Sequence, residues 1–99
     1  MTYNFQSINF NSDIKLIEKV KRRTNKLCLF FSKITSVQVY AKLKNTSSRL
    51  NKQIEIVISI PGEQFVVKKN SYSFESSINK ASTTIEKLLK KHKEKLKLV

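Results

Sequence analysis

Basic residues recur through this chain at spacings of three and four. Lys15, Lys19, Arg22, Arg23 and Lys26 form one such set; Lys80, Lys87 and Lys91 form another, with Thr84 at the intervening position and Lys95 at its edge. On a helix turning roughly 100° per residue, each set falls in a single stripe about 100° wide. The stripes contain no acid, because Glu18 and Glu86 lie off them. A face that is merely solvated mixes signs, since Glu and Lys four residues apart support each other. Unrelieved like charge costs folding stability, and a docked polyanion is the simplest way to recover it. The chemistry open to these residues is therefore electrostatic. Lysine heads act as point charges on phosphate oxygens and position a nucleic-acid backbone without reading base sequence.

Other chemistries lack the residues they need. His92 is the only histidine and lies on the apolar side of its helix, where packing or capping at the core edge outweighs general-base work. A metal site needs three or four ligands, and one Cys with one His falls short, so no metal or other cofactor is expected. Cys28 reads as a semi-buried residue beside Phe30 and Phe31 rather than a reactive thiol. With one Gly, one His and seven scattered acids, neither a phosphate loop nor a catalytic triad can be assembled, so the chain is not expected to be an enzyme or to take a small-molecule substrate. Tyr40, with Lys42 on the same side of its strand, could stack a base as RNA-binding sheets do. A single aromatic flanked by Gln38 and Lys42 is more simply an ordinary strand tyrosine.

The elements that must position the two stripes are legible from periodicity. Tyr3 and Phe5 alternate with Asn4 and Gln6 in a first strand over residues 2–10. Ser12 or Asp13 can cap a helix over about 13–31, whose apolar stripe is Leu16, Val20, Leu27 and Phe31, with Ile17 beside it. Val37, Val39, Ala41 and Leu43 alternate in a second strand, and Ile54, Ile56, Ile58 and Ile60 in a third. A Pro61-Gly62-Glu63 turn leads to a fourth strand containing Phe65 and Val67. Ser73 opens a second helix with apolar residues Phe74, Ile78, Ala81, Ile85, Leu88, Leu89 and Leu96. That stripe runs into KLLKKHKEKLK, Lys87 to Lys97, so the lysine-rich segment reads as the last turns of an amphipathic helix with a frayed end, not as a disordered tail.

The order β-α-β-β-β-α, with one apolar face per element, specifies an α+β fold: a four-stranded sheet with two helices packed on one face. At 99 residues this is one domain, 1–99. A net charge of +13 makes nucleic acid the default partner. Membrane binding is disfavoured because both apolar stripes are needed to cover the sheet, and no apolar run approaches the ~20 residues of a span. One cysteine and no secretory signal suggest a reducing cytoplasm.

The strand ending in SINF, the run KVKRRTNKLCLFFSKI, the stretch KKNSYSFESSINKA and above all KLLKKHKEKLK resemble the ribosome hibernation-promoting factor family, also called ribosome-associated inhibitor or sigma-54 modulation proteins. The resemblance covers essentially the whole chain in order. It implies a fold similar to a double-stranded-RNA-binding domain with an extra N-terminal strand. It also implies binding to the small ribosomal subunit, with its 16S-type rRNA, and to the 70S ribosome. There the protein would occupy the decoding channel, block mRNA and tRNA, and inhibit translation in stationary phase or stress. The family's basic positions fall on Arg23 and Lys26 in the first helix and on Thr84, Lys87 and Lys91 in the second, with Lys80 one turn earlier. Where members of the family often open this helix with Asp-Met-Tyr, this chain has Ser73-Phe74-Glu75. The resemblance is to the short form, a monomer when free, without the C-terminal dimerisation domain of long members. A free double-stranded-RNA-binding module is the alternative expectation.

Overall fold

The computed structural model describes the backbone of residues 2–97 and the side chains of residues 2–95, so the Leu96 side chain and the fraying of the last residues lie outside the described residues. Six elements follow the expected order: β1 (Thr2–Ile8), α1 (Ile14–Phe30), β2 (Ser36–Leu43), β3 (Lys52–Ile60), β4 (Glu63–Ser71) and α2 (Phe74–Lys97). The strands form one mixed sheet in the order β1-β2-β3-β4. β1 pairs parallel with β2, which requires the intervening crossover helix α1. The other two pairings are antiparallel.

Each element begins and ends for a local reason. Asp13 caps α1 by accepting a hydrogen bond from the Leu16 backbone N–H at 2.8 Å, which decides between the two candidate caps. β1 stops at Ile8, two residues short of the expected strand, because Asn9 takes a left-handed conformation at φ 69°. Asparagine tolerates that region better than most residues, and its side chain donates to the Leu43 carbonyl. Ile60 pairs directly with Glu63, leaving Pro61 and Gly62 as the two central residues of the β3–β4 hairpin. Gly62 has φ 80°, a left-handed conformation that glycine adopts at this second central position without steric cost. α2 is capped by Ser73, whose Oγ accepts from the Ser76 N–H at 3.1 Å.

One face of the sheet holds the core. Val37, Val39, Ala41, Ile54, Ile56 and Ile58 are at most 1% exposed. Leu16, Val20 and Leu27 descend on them from α1 and Phe31 from its C-cap, and Ile78, Ala81, Ile85 and Leu89 from α2. Ile17, expected beside the α1 stripe, is instead 40% exposed on the helix flank. Thr24 fills the α1 stripe where an apolar residue is missing, and its buried hydroxyl donates to the carbonyls of Val20 and Lys21. Ser77, also fully buried, donates to the Lys52 carbonyl at 2.6 Å and ties the first turn of α2 to the start of β3.

The Tyr3 hydroxyl is a buried polar group with no partner of hydrogen-bonding geometry. Burial raises the pKa of this phenol above its ordinary value, and the neighbouring Thr24 hydroxyl offsets part of that rise. Tyr3→Phe should therefore leave the thermal midpoint unchanged or raise it, because it removes a desolvated hydroxyl that has Thr24 beside it but no well-formed hydrogen bond. Ile56→Ala, which opens a cavity at a fully buried site, should cost about 2–5 kcal/mol in chemical denaturation.

Candidate nucleic-acid interface

The cations of the helices are placed by a regular one-residue offset from the core. Lys15 precedes Leu16, Lys19 precedes Val20, Arg23 precedes Thr24 and Lys26 precedes Leu27. On α2, Lys80 precedes Ala81, Thr84 precedes Ile85, Lys87 precedes Leu88 and Lys91 precedes His92. One residue is about 100° of rotation in a fixed sense, so on both helices the basic stripe lies on the same side of the buried stripe.

The two helices also run in the same direction. Contacts between them pair early with early and late with late: Lys19 lies 3.9 Å from the Glu75 carboxylate, Arg23 and Lys26 share a small cavity of about 80 Å³ with Ser82 and Glu86, and the Lys93 ammonium sits 5.5 Å from the centre of the Phe30 ring. Parallel helices with the same offset point their stripes the same way. The α1 stripe faces α2, and the α2 stripe faces away from α1, toward β4. Lys80 accordingly reaches the Ser71 hydroxyl of β4 at 3.5 Å, and Lys91 and Lys95 border an open cleft with Glu63 and Phe65.

The stripes are therefore unequal. Lys15, Arg22 and Lys26 are exposed on α1, but Lys19 and Arg23 are half-buried against α2. Glu75 and Glu86 of α2 border that groove, so the α1 stripe, acid-free along its own helix, is not acid-free in space. The Nε of Arg23 is buried and unpartnered, which leaves the outer end of the guanidinium as its donor toward solvent. On α2, Lys80, Lys87 and Lys91 are all exposed, and none makes an ion pair among the described residues. Glu94 stands beside Lys91 and Lys95 in the cleft at the far end. Periodicity within one helix carries no signal for these carboxylates, because their proximity depends on the packing of the other helix.

With six basic residues on α1 and seven on α2, the helix layer holds thirteen of the twenty cations of the chain but only four of its seven acids. The opposite face of the sheet is nearly neutral. Its charged members include Lys42, Glu55 and Lys68, and the last two pair across β3 and β4 at 3.7 Å. Tyr40 is half-buried there, donates to the Gln38 side chain at 3.1 Å and stands opposite Glu55, whose carboxylate disfavours a neighbouring phosphate.

The chain matches the family described as sigma 54 modulation protein / S30EA ribosomal protein over residues 3–97. The chain belongs to that family. Its fold is shared by a ribosomal subunit interface protein from Coxiella burnetii, at a TM-score of 0.83 and 14% identity, with 95% of this chain and 99% of that one covered. The Thermus thermophilus Protein Y N-terminal domain superposes at a TM-score of 0.76 and 16% identity, over 90% of this chain and 94% of that one. No curated protein matches the sequence. The family is one of ribosome-associated proteins, and within it this chain keeps the β-α-β-β-β-α order with both helices on one face.

The remaining candidate groups have structural surroundings. His92 packs edge-on against Phe31 and Phe65, and its Nδ1 lies 3.1 Å from Glu63, which fastens the second half of α2 to the β3–β4 hairpin. Among the described residues no group of three or more His, Cys, Asp or Glu could hold a metal ion, and no helix is long and apolar enough to cross a membrane. Burial pushes the Cys28 thiol up, away from the nucleophilic thiolate. Alkylation of Cys28 in the folded protein at pH 7 should be at least about tenfold slower than for an unstructured cysteine and should accelerate as the pH is raised. Glu75→Gln should change stability by less than about 1 kcal/mol, since the Lys19–Glu75 pair is a long, largely solvated contact on the carboxylate side.

Proposed function

We propose that this chain is a ribosome hibernation factor. It binds the small ribosomal subunit in the cytoplasm, lies in the decoding channel against 16S-type rRNA, excludes mRNA and tRNA by occupancy, and so holds translation off in stationary phase or stress. The contacts are phosphate contacts from the helix layer. The exposed α2 stripe of Lys80, Lys87 and Lys91 dominates, and Lys15, Lys19, Arg22, Arg23 and Lys26 extend the surface from α1. The observation that carries the reading is the coincidence of family membership with two basic stripes aimed at the same side of the molecule. The mechanism is steric and electrostatic and requires no bond to be made or broken.

Charge reversal at Lys87 and Lys91 should abolish co-sedimentation with small subunits while leaving the thermal midpoint within a few degrees of the parent, because both side chains are exposed. Wild-type-like co-sedimentation of that variant would remove the site assignment. If about six phosphates are neutralised, affinity should fall roughly a thousandfold between ~50 and ~200 mM salt. Equal affinity for isolated RNA duplexes and for small subunits would instead favour a free duplex-binding module.

A further inference from the structure

β4 carries a lysine where its pattern calls for a core residue. Phe65, Val67, Lys69 and Ser71 alternate on the helix-facing side of the strand, and Lys69 stands directly opposite Ile54, which is fully buried. Such a stem can lie along apolar surface only if its ammonium finds water or an anion. Lys69 is half-buried and makes no ion pair among the described residues; the Lys68–Glu55 pair lies on the other face of the sheet.

Over Lys69, α2 presents Asn79, Lys80, Thr83 and Thr84, and the five residues line one shallow hollow of about 370 Å³ that contains no acid. Thr84 is the neutral position in the otherwise cationic stripe of α2. Its hydroxyl donates to the Lys80 carbonyl and that of Thr83 to the Asn79 carbonyl, so both are engaged with the helix itself. The positive charge of the hollow comes from Lys69 on one wall and Lys80 on the other.

We infer that this hollow is a phosphate subsite for an RNA backbone, in which Lys69 supplies from the sheet the cation that the helix lacks at Thr84. The inference rests on the proposed rRNA-binding function and extends it to a strand. A continuous cationic track then runs along the α2–β4 edge from Lys69 and Lys80 to Lys87 and Lys91. The competing explanation is that an inward lysine on an edge strand merely discourages pairing with other chains.

The test is a binding titration of the full chain against small ribosomal subunits across ~50–200 mM salt, using K69Q, K69R, T84K, K69Q/T84K and, as a reference, the K87E/K91E double variant. K69Q should weaken binding about three- to tenfold and lower the salt slope by roughly 0.7–0.9, the loss of one phosphate contact. K69R should bind as the parent does. T84K should restore both affinity and slope to K69Q, because it returns a cation to the same hollow. If K69Q keeps parental affinity and slope while K87E/K91E loses binding, the subsite is refuted and the wider reading stands; aggregation of that K69Q would identify edge protection as the role of Lys69. If K87E/K91E also binds like the parent, the wider reading falls with it. A weakened K69Q that T84K does not rescue refutes the shared hollow.

Discussion

Ile54, Ile56, Ile58 and Ile60 put four side chains on the same face of a central strand, and the rest of the molecule is arranged by the need to keep water off them. Two helices are required to cover that face. Each contributes one apolar stripe, and each stripe is consumed by the sheet. The cations of the helices are left on the flanks and the outer surface. Because the stripe cations, Arg22 apart, each precede a core-side residue by one position, and because the helices are parallel, both flanks turn to the same side. The electrostatic direction of the protein is thus a by-product of how its core is closed.

That geometry separates the roles of the two helices. The α1 cations line a groove that α2 closes from the other side, and two of them, Lys19 and Arg23, are half-buried beside the acids of α2. A carboxylate near a lysine partly satisfies it and weakens its pull on a distant phosphate. The α2 cations look outward over β4, where Lys80 faces another lysine, Lys69, and acids come near only at the far end, with Glu63 and Glu94 beside Lys91 and Lys95. The surface best suited to a long polyanion is therefore the α2–β4 edge, with α1 contributing from behind. A membrane surface is a poor fit to the same features, since the apolar stripes of both helices are buried against the sheet.

Much of this was legible in the sequence, and what escaped did so for a physical reason. The isoleucine alternation of β3, the Pro61-Gly62 turn and the three- and four-residue spacing in both helices are local patterns, and they define the element order and the covered face. The two stripes are local as well, since an α-helix fixes the angle between residues four apart. Contacts between elements left no such trace. Glu75 meets Lys19 only because α2 lies parallel to α1, and Ser77 and Ser82 are buried by neighbours far away in the chain. The helix wheel puts His92 at the core edge, where it lies, but its partner Glu63 is on a hairpin whose approach the wheel does not describe. Lys69 could have been found from strand parity, which puts it in line with Val67 and Ser71; its meaning needed α2 above it.

The central claim is that the helix layer, and not the open face of the sheet, meets the RNA. Lysine acetylation footprinting by mass spectrometry, on the free protein and on its complex with small subunits, tests this directly because every surface carries its own reporters. The account predicts strong protection of Lys80, Lys87 and Lys91 in the complex, with Lys42 and Lys68 on the open sheet face as reactive as in the free protein. Protection of Lys42 and Lys68 with the α2 lysines left reactive would contradict it.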